Sequence, residues 1–79
     1  MKEERYRLMT ISEIELEFQN EWVLVEDPEF DVSDRFGGGK VRCHSRSRDD
    51  IYRKAIELRL KDSAILRTGP TSKLFFIKL

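Results

Sequence analysis

The chain is poor in the residue types that support covalent or metal-dependent chemistry. Its 79 residues include one cysteine, one histidine and two prolines. One cysteine cannot form an internal disulfide, and one histidine without a suitably placed partner does not make a metal site. The sequence therefore excludes a disulfide-held scaffold and gives no reason to expect a metal or other cofactor.

Long apolar runs are also missing. The N-terminal stretch MKEERYRLMTISE has no apolar segment of the kind found in signal peptides, so we expect neither secretion nor membrane insertion, and a cytoplasmic location. Hydrophobic residues make up 39% of the chain and charged residues 38%, a balance typical of a soluble globular domain. We predict one small domain over residues 1–79, with residues 1–9 disordered.

The net charge of zero conceals a strong asymmetry along the chain. Residues 1–34 contain eleven acidic residues against three basic ones, a formal charge of −8, so residues 35–79 carry +8. Such a split can steer a charged partner towards the protein. It can equally let the two halves attract each other as they fold, which we take as the simpler interpretation.

Two amphipathic helices are indicated by local signals. Thr10 and Glu13 have the spacing of a reciprocal capping box, and Ile11, Ile14 and Phe18 follow on one face. The second helix is the clearer one, with an N-cap at Ser47, and its apolar positions form a stripe wide enough to cover a sheet.

Four strands complete the predicted fold. The first is Glu21–Glu26, apolar on both faces, and the second follows FGGG as VRCHS. The third is Ala64–Thr68 and the fourth Lys73–Leu79, around a TGPTS turn. The sequence thus predicts an α+β fold in the order helix, strand, strand, helix, strand, strand, with a mixed four-stranded sheet. We expect the second strand, second helix and third strand to form a parallel crossover. The first helix either packs on the sheet or swings away from it.

Residues 27–39 are predicted to form a long, mobile, acidic and glycine-rich connection. Loops of this length are uncommon without a function, so the segment is also a candidate binding loop. Its FGGGK sequence is not a phosphate-binding loop, because Val41 and strand periodicity follow Lys40 where a Ser or Thr and a helix would be needed. Cys43 and His44 are adjacent on a strand and point to opposite faces, which disfavours a nucleophile and base pair.

The closing strand is the main candidate for partner binding. Its two faces are both apolar, so one face can meet the protein's own helices while the other needs a further cover. At a sheet edge it would also offer unpaired backbone groups. We therefore predict a homodimer, or binding of a different protein, through five apolar residues: Leu74, Phe75, Phe76, Ile77 and Leu79. A monomer in which this strand is fully covered remains the alternative.

The segments EWVLVEDPEFD, GGKVRCHSRSRDDIYRKAIEL and AILRTG together resemble a family of short bacterial proteins, common in cyanobacteria, whose function is not known. The resemblance covers residues 21–69. Members of this family can be encoded beside small protease-like or toxin-like proteins, so the resemblance implies an antitoxin-like or other partner-binding role.

Three classes of function remain open. The first, which we favour, is a small protein-interaction or regulatory module without a catalytic site. The second is a nucleic-acid-binding module, disfavoured by the acidic half, that would use five arginines: Arg42, Arg46, Arg48, Arg53 and Arg67. The third is a small enzyme that would depend on His44 or Cys43, although no triad, carboxylate pair or metal set can be assembled from the sequence.

Overall fold

The computed structural model describes residues 7–60 and 62–69, together with the backbone of residues 73–78. These residues form an α+β structure, as the sequence predicts. Its elements in chain order are β1 (Arg7–Thr10), α1 (Ile11–Glu17), β2 (Trp22–Phe30), β3 (Phe36–Ser45), α2 (Arg48–Leu58), β4 (Asp62–Arg67) and β5 (Lys73–Lys78).

The sheet differs from the predicted one in both order and direction. The strands lie in the order β1-β3-β2-β4-β5, and every neighbouring pair is antiparallel. The expectation of a mixed sheet was wrong, because β2 lies between β3 and β4 and runs antiparallel to both. The crossover through α2 therefore joins two strands that run in the same direction but are not hydrogen-bonded to each other. The predicted element order also lacked β1, which precedes α1.

The two helices begin where the sequence indicates. At α1 the Thr10 hydroxyl accepts a hydrogen bond from the Glu13 N–H, and the Glu13 carboxylate accepts one from the Thr10 N–H. Ser47 is the N-cap residue of α2, although its side chain makes no capping bond. Arg59 ends α2 in the left-handed conformation.

Each helix covers one face of the sheet. Met9, Phe18 and Val41 belong to a buried cluster that also includes Ile14 of α1. Leu24 and Ile65 belong to a second cluster on the other face, with Ile51 and Ala55 of α2. Successive residues of β2 belong alternately to the two clusters, which explains the continuous apolar run of this strand. Since Ile14 belongs to one of these clusters, α1 packs on the sheet and does not swing away from it.

The predicted connection over 27–39 is mostly strand. β2 continues to Phe30 and β3 begins at Phe36, so only residues 31–35 form the turn. Asp27 has a positive φ of 51°, and the register between β2 and β3 shifts beyond Glu26, which marks a β-bulge. The bulge accommodates Pro28, a residue that interrupts regular pairing, and this is why local signals suggested a loop.

The glycine run lies inside a strand and not in a turn. Gly38 lies opposite Thr10 of β1, and a Cβ atom at Gly38 would be 2.1 Å from the Met9 carbonyl oxygen. At Gly39 a Cβ atom would be 2.7 Å from a methyl carbon of Val25. Gly38 allows β1, and Gly39 allows β2, to approach β3 closely, a long-range requirement that is not visible in the local sequence.

Candidate interaction surface

The sheet has two outer strands, and they differ in length and surroundings. β5 has six residues and pairs on one side with β4 along its whole length, from Lys73 opposite Arg67 to Lys78 opposite Asp62. Within the described residues it has no strand on its other side. Four of the predicted partner-binding residues lie in β5, namely Leu74, Phe75, Phe76 and Ile77, whereas Leu79 is outside the described residues.

β1, at the opposite edge, has only four residues and runs directly into α1. The Glu13 carboxylate accepts the Thr10 N–H at 2.9 Å, so this backbone donor already has a partner. Arg7 donates to both carboxylate oxygens of Glu17, at 2.6 and 3.0 Å. Residues 7–9, which we expected to be disordered, therefore belong to a strand fixed by its helix, while residues 1–6 are outside the described part of the chain.

An open groove of about 400 Å³ follows the β1 edge. Its lining includes Leu8 and Leu16, two of the exposed large hydrophobic residues, beside the Arg7–Glu17 ion pair. The hydrogen bond from Arg7 lowers the pKa of the Glu17 carboxyl, and the same contact raises the pKa of Arg7. A short outer strand with charged side chains beside it is poorly suited to pair with another chain, and proteins commonly protect sheet edges in this way.

Of the five predicted nucleic-acid-binding arginines, four are exposed and Arg42 is not. The side chain of Arg42 is only 5% exposed and forms an ion pair with Glu26, so it does not face solvent. Arg53 is paired with Asp50 at 3.7 Å. Arg48 lies over the ring of Tyr52 and Arg67 over that of Trp22, and both are exposed, as is Arg46.

Cys43 and His44 lie on opposite faces of β3, as their adjacency predicts. Cys43 packs against the α2-side cluster, and burial raises the pKa of its thiol. The His44 ring stacks on Phe18, with ring centroids 4.3 Å apart, and its Nδ1 lies 2.7 Å from Oε1 of Glu21. The two side chains therefore do not form a nucleophile and base pair.

The part of the chain that the structure describes holds neither a metal-ligating group nor a membrane-spanning helix. Among the described residues, no three His, Cys, Asp or Glu side chains are grouped so that they could hold a metal ion. Neither helix in the described ranges has the length and apolar composition needed to cross a membrane. The β5 edge, which has no further strand beside it among the described residues, is the feature from which a function can best be argued.

Comparisons with protein-family models, curated proteins and solved structures gave no match for this chain.

The structure reveals two features of this surface that the sequence reasoning missed. One is β1, whose RLMT sequence was too short and too close to the capping box to stand out as a strand. The other is a projecting hairpin formed by the distal parts of β2 and β3. Its one local signal was the alternation of Phe30 and Val32 with acidic residues before the glycine run.

Proposed function

We propose that this protein is a small interaction module, with no catalytic site of its own, whose β5 edge pairs with β5 of a second copy. The observation that supports this is the contrast between the two outer strands. β5 pairs with β4 through six consecutive residues and is an outer strand of the described sheet, whereas β1 is short and capped by its own helix.

The backbone of an outer antiparallel strand provides the means of recognition. Alternate residues direct their N–H and C=O groups away from the neighbouring strand, and an added strand can pair with them. Positions 75 and 76 of β5 lie opposite Ile65 and Ala64, both of which are completely buried. The proposed interface therefore borders the protein's core and is not a peripheral contact.

Symmetry favours pairing of β5 with itself. A two-fold axis perpendicular to the sheet keeps each face continuous, so odd-numbered residues lie opposite odd-numbered ones and even opposite even. Lys73 and Lys78 then never lie directly opposite each other, and the repulsion of facing like charges is avoided. With Phe76 on the axis, Phe75 lies opposite Ile77 of the other copy.

The proposed dimer would also be closed. Each five-stranded sheet would join the other through β5, and the two β1 strands would become the outer edges. Since β1 is short and charged, the assembly would resist further edge-to-edge growth. The same β5 edge would accept a strand of a different protein, which is how the antitoxin-like role implied by the resemblance would operate.

Matched charge insertions at the two edges test this proposal. Phe76→Asp should give a monomer or an unfolded chain, because a carboxylate would be placed in the proposed interface beside the core. Leu8→Asp should leave the mass unchanged, because Leu8 is exposed on the opposite edge. Light scattering and circular dichroism on both variants make the comparison, and a folded Phe76→Asp protein of unchanged mass would refute the proposal.

A further inference from the structure

The distal part of the β2–β3 hairpin projects beyond the rest of the sheet. Pairing of β2 with β4 ends at Glu26, and pairing of β3 with β1 ends at Gly38. Past Glu26 on β2, Glu29 still pairs with Gly38, and Phe30 with Phe36. We call the two-stranded segment from Asp27 to Gly37 the arm.

The tip of the arm is ordered by its own hydrogen bonds. The Asp31 carboxylate accepts the N–H groups of Ser33 and Arg35, at 2.8 and 2.9 Å. The Asp31 N–H donates to the Arg35 carbonyl and the Asp34 N–H to the Asp31 carbonyl, each at 2.9 Å. Such a preorganised turn loses little conformational entropy when it binds.

Apolar side chains are displayed on this ordered tip. Val32 at the apex is fully exposed (104%), and Phe30 is 43% exposed while its ring contacts Phe36 edge-on, with centroids 6.0 Å apart. Phe36 in turn packs against the α1-side core. Exposed apolar residues on an ordered turn are suited to contact an apolar surface of another protein.

The charges of the arm limit the class of partner. The arm has four acidic residues, Asp27, Glu29, Asp31 and Asp34, and one basic residue, Arg35, which gives it a formal charge of −3. Asp27 is paired with Lys40 at 3.2 Å, so the arm and Lys40 together carry −2. Negative charge is repelled by nucleic-acid phosphates and by anionic lipid surfaces. Electrostatic complementarity instead favours a basic protein surface.

We infer that the arm is a second docking element, which packs Val32 and Phe30 against an apolar face flanked by Lys or Arg on a partner protein. This site lies apart from the β5 edge, since β4 is the one strand that pairs with β5 among the described residues and the arm begins where β4 pairing ends. Loss of the dimer would therefore not remove the arm, and loss of arm binding would not remove the dimer.

The test uses the full ¹⁵N-labelled chain and a helical peptide with one leucine face and one lysine face. We expect the peptide to shift amide signals of the arm, and the Val32→Ser/Phe30→Ser variant to weaken binding about a hundredfold, since each buried apolar side chain that is lost accounts for about tenfold. Ile56→Ser, at another exposed apolar residue (65%) on α2, should bind as well as the parent protein.

The double variant Glu29→Gln/Asp34→Asn tests the charge of the arm. It should bind the peptide more weakly, and its binding should depend less on the salt concentration, while the Asp31 hydrogen bonds stay in place.

Three results would overturn the inference. One is the absence of shifts in the arm, and another is equal binding of a peptide in which glutamate replaces every lysine. The third is larger arm shifts with phosphatidylglycerol vesicles than with the peptide, which would assign the arm to a membrane surface. Unfolding curves of the Val32→Ser/Phe30→Ser variant check that its fold is retained.

Discussion

The two edges of this sheet show how one small protein can close one side of its fold and leave the other available. At β1 the chain turns at once into α1, Glu13 takes the last backbone donor, and Arg7 is held by Glu17. At β5 six residues in succession pair with β4, and no further strand follows among those the structure describes. Both edges carry basic residues, so charge does not distinguish them. The protection of β1 depends instead on its short length and on the helix joined directly to it.

The largest expected effect concerns the protected edge. Gly38→Ala should destabilise the fold by about 3 kcal/mol, since the new Cβ would overlap the Met9 carbonyl and the backbone has a φ of +127°. The displaced β1 would also uncover β3 and promote aggregation. Urea unfolding measures the change. Gly37→Ala is the matched control, because the nearest atom to its Cβ is at 3.6 Å, and we expect a change within about 0.5 kcal/mol.

Proline substitutions along β5 sharpen the comparison at the open edge. Proline removes the N–H donor, which points alternately towards β4 and away from it. We therefore expect two alternating kinds of proline variant from Leu74 to Ile77. Where the N–H points towards β4, proline should unfold the protein. Where the N–H points away, the protein should stay folded, and the dissociation constant of the proposed dimer should rise about tenfold or more. Circular dichroism and sedimentation measure the two properties. If the folded variants all keep the parent dissociation constant, β5 is not the interface.

Loss of the capping box should destabilise the protected β1 edge by an intermediate amount. Thr10→Ala removes the hydroxyl that accepts the Glu13 N–H, so we expect a loss of about 1 kcal/mol in the free energy of unfolding. Faster hydrogen exchange at the amides of Arg7–Thr10 should accompany it. Ser12→Ala, in the same first turn, should be neutral or slightly stabilising. Equal losses in both variants would show that the capping contact is unimportant.

The smallest effect is the pH dependence of the Arg7–Glu17 pair. Because the folded pKa of Glu17 is lowered, its contribution is present above the ordinary carboxyl pKa and is lost as the pH falls through the lowered value. The pair is solvent-exposed, so the contribution should be small and should fade in high salt. Acid unfolding of Glu17→Gln and of Arg7→Gln should show the same loss of this acid-sensitive component, and different profiles would contradict the pairing.

Local signals predicted the elements better than their arrangement. The capping box at Thr10 and Glu13 and the start of α2 after Ser47 depend on neighbouring residues, and the structure has both. The position of β2 between β3 and β4 depends on long-range pairing, which the strand sequences do not specify. The predicted mixed sheet was wrong for this reason.

The glycine run shows why the candidate surface was only partly predictable. Three glycines next to acidic residues are typical of a flexible turn, yet Gly38 and Gly39 are required by the approach of β1 and of β2. The apolar composition of β5 was visible in the sequence, but its place at the edge follows from the strand order. The arm was mistaken for a mobile loop because its order comes from pairing across the hairpin and from the Asp31 turn.

The solution mass of the purified protein, measured by light scattering in low and high salt, tests the proposed use of β5 most directly. We predict twice the chain mass of 9.4 kDa in both conditions, because backbone pairing and apolar contacts at β5 are insensitive to screening. A mass of 9.4 kDa in both conditions would contradict self-pairing through β5. A dimer that dissociates in high salt would also contradict it, since charged surfaces would then hold the two copies together.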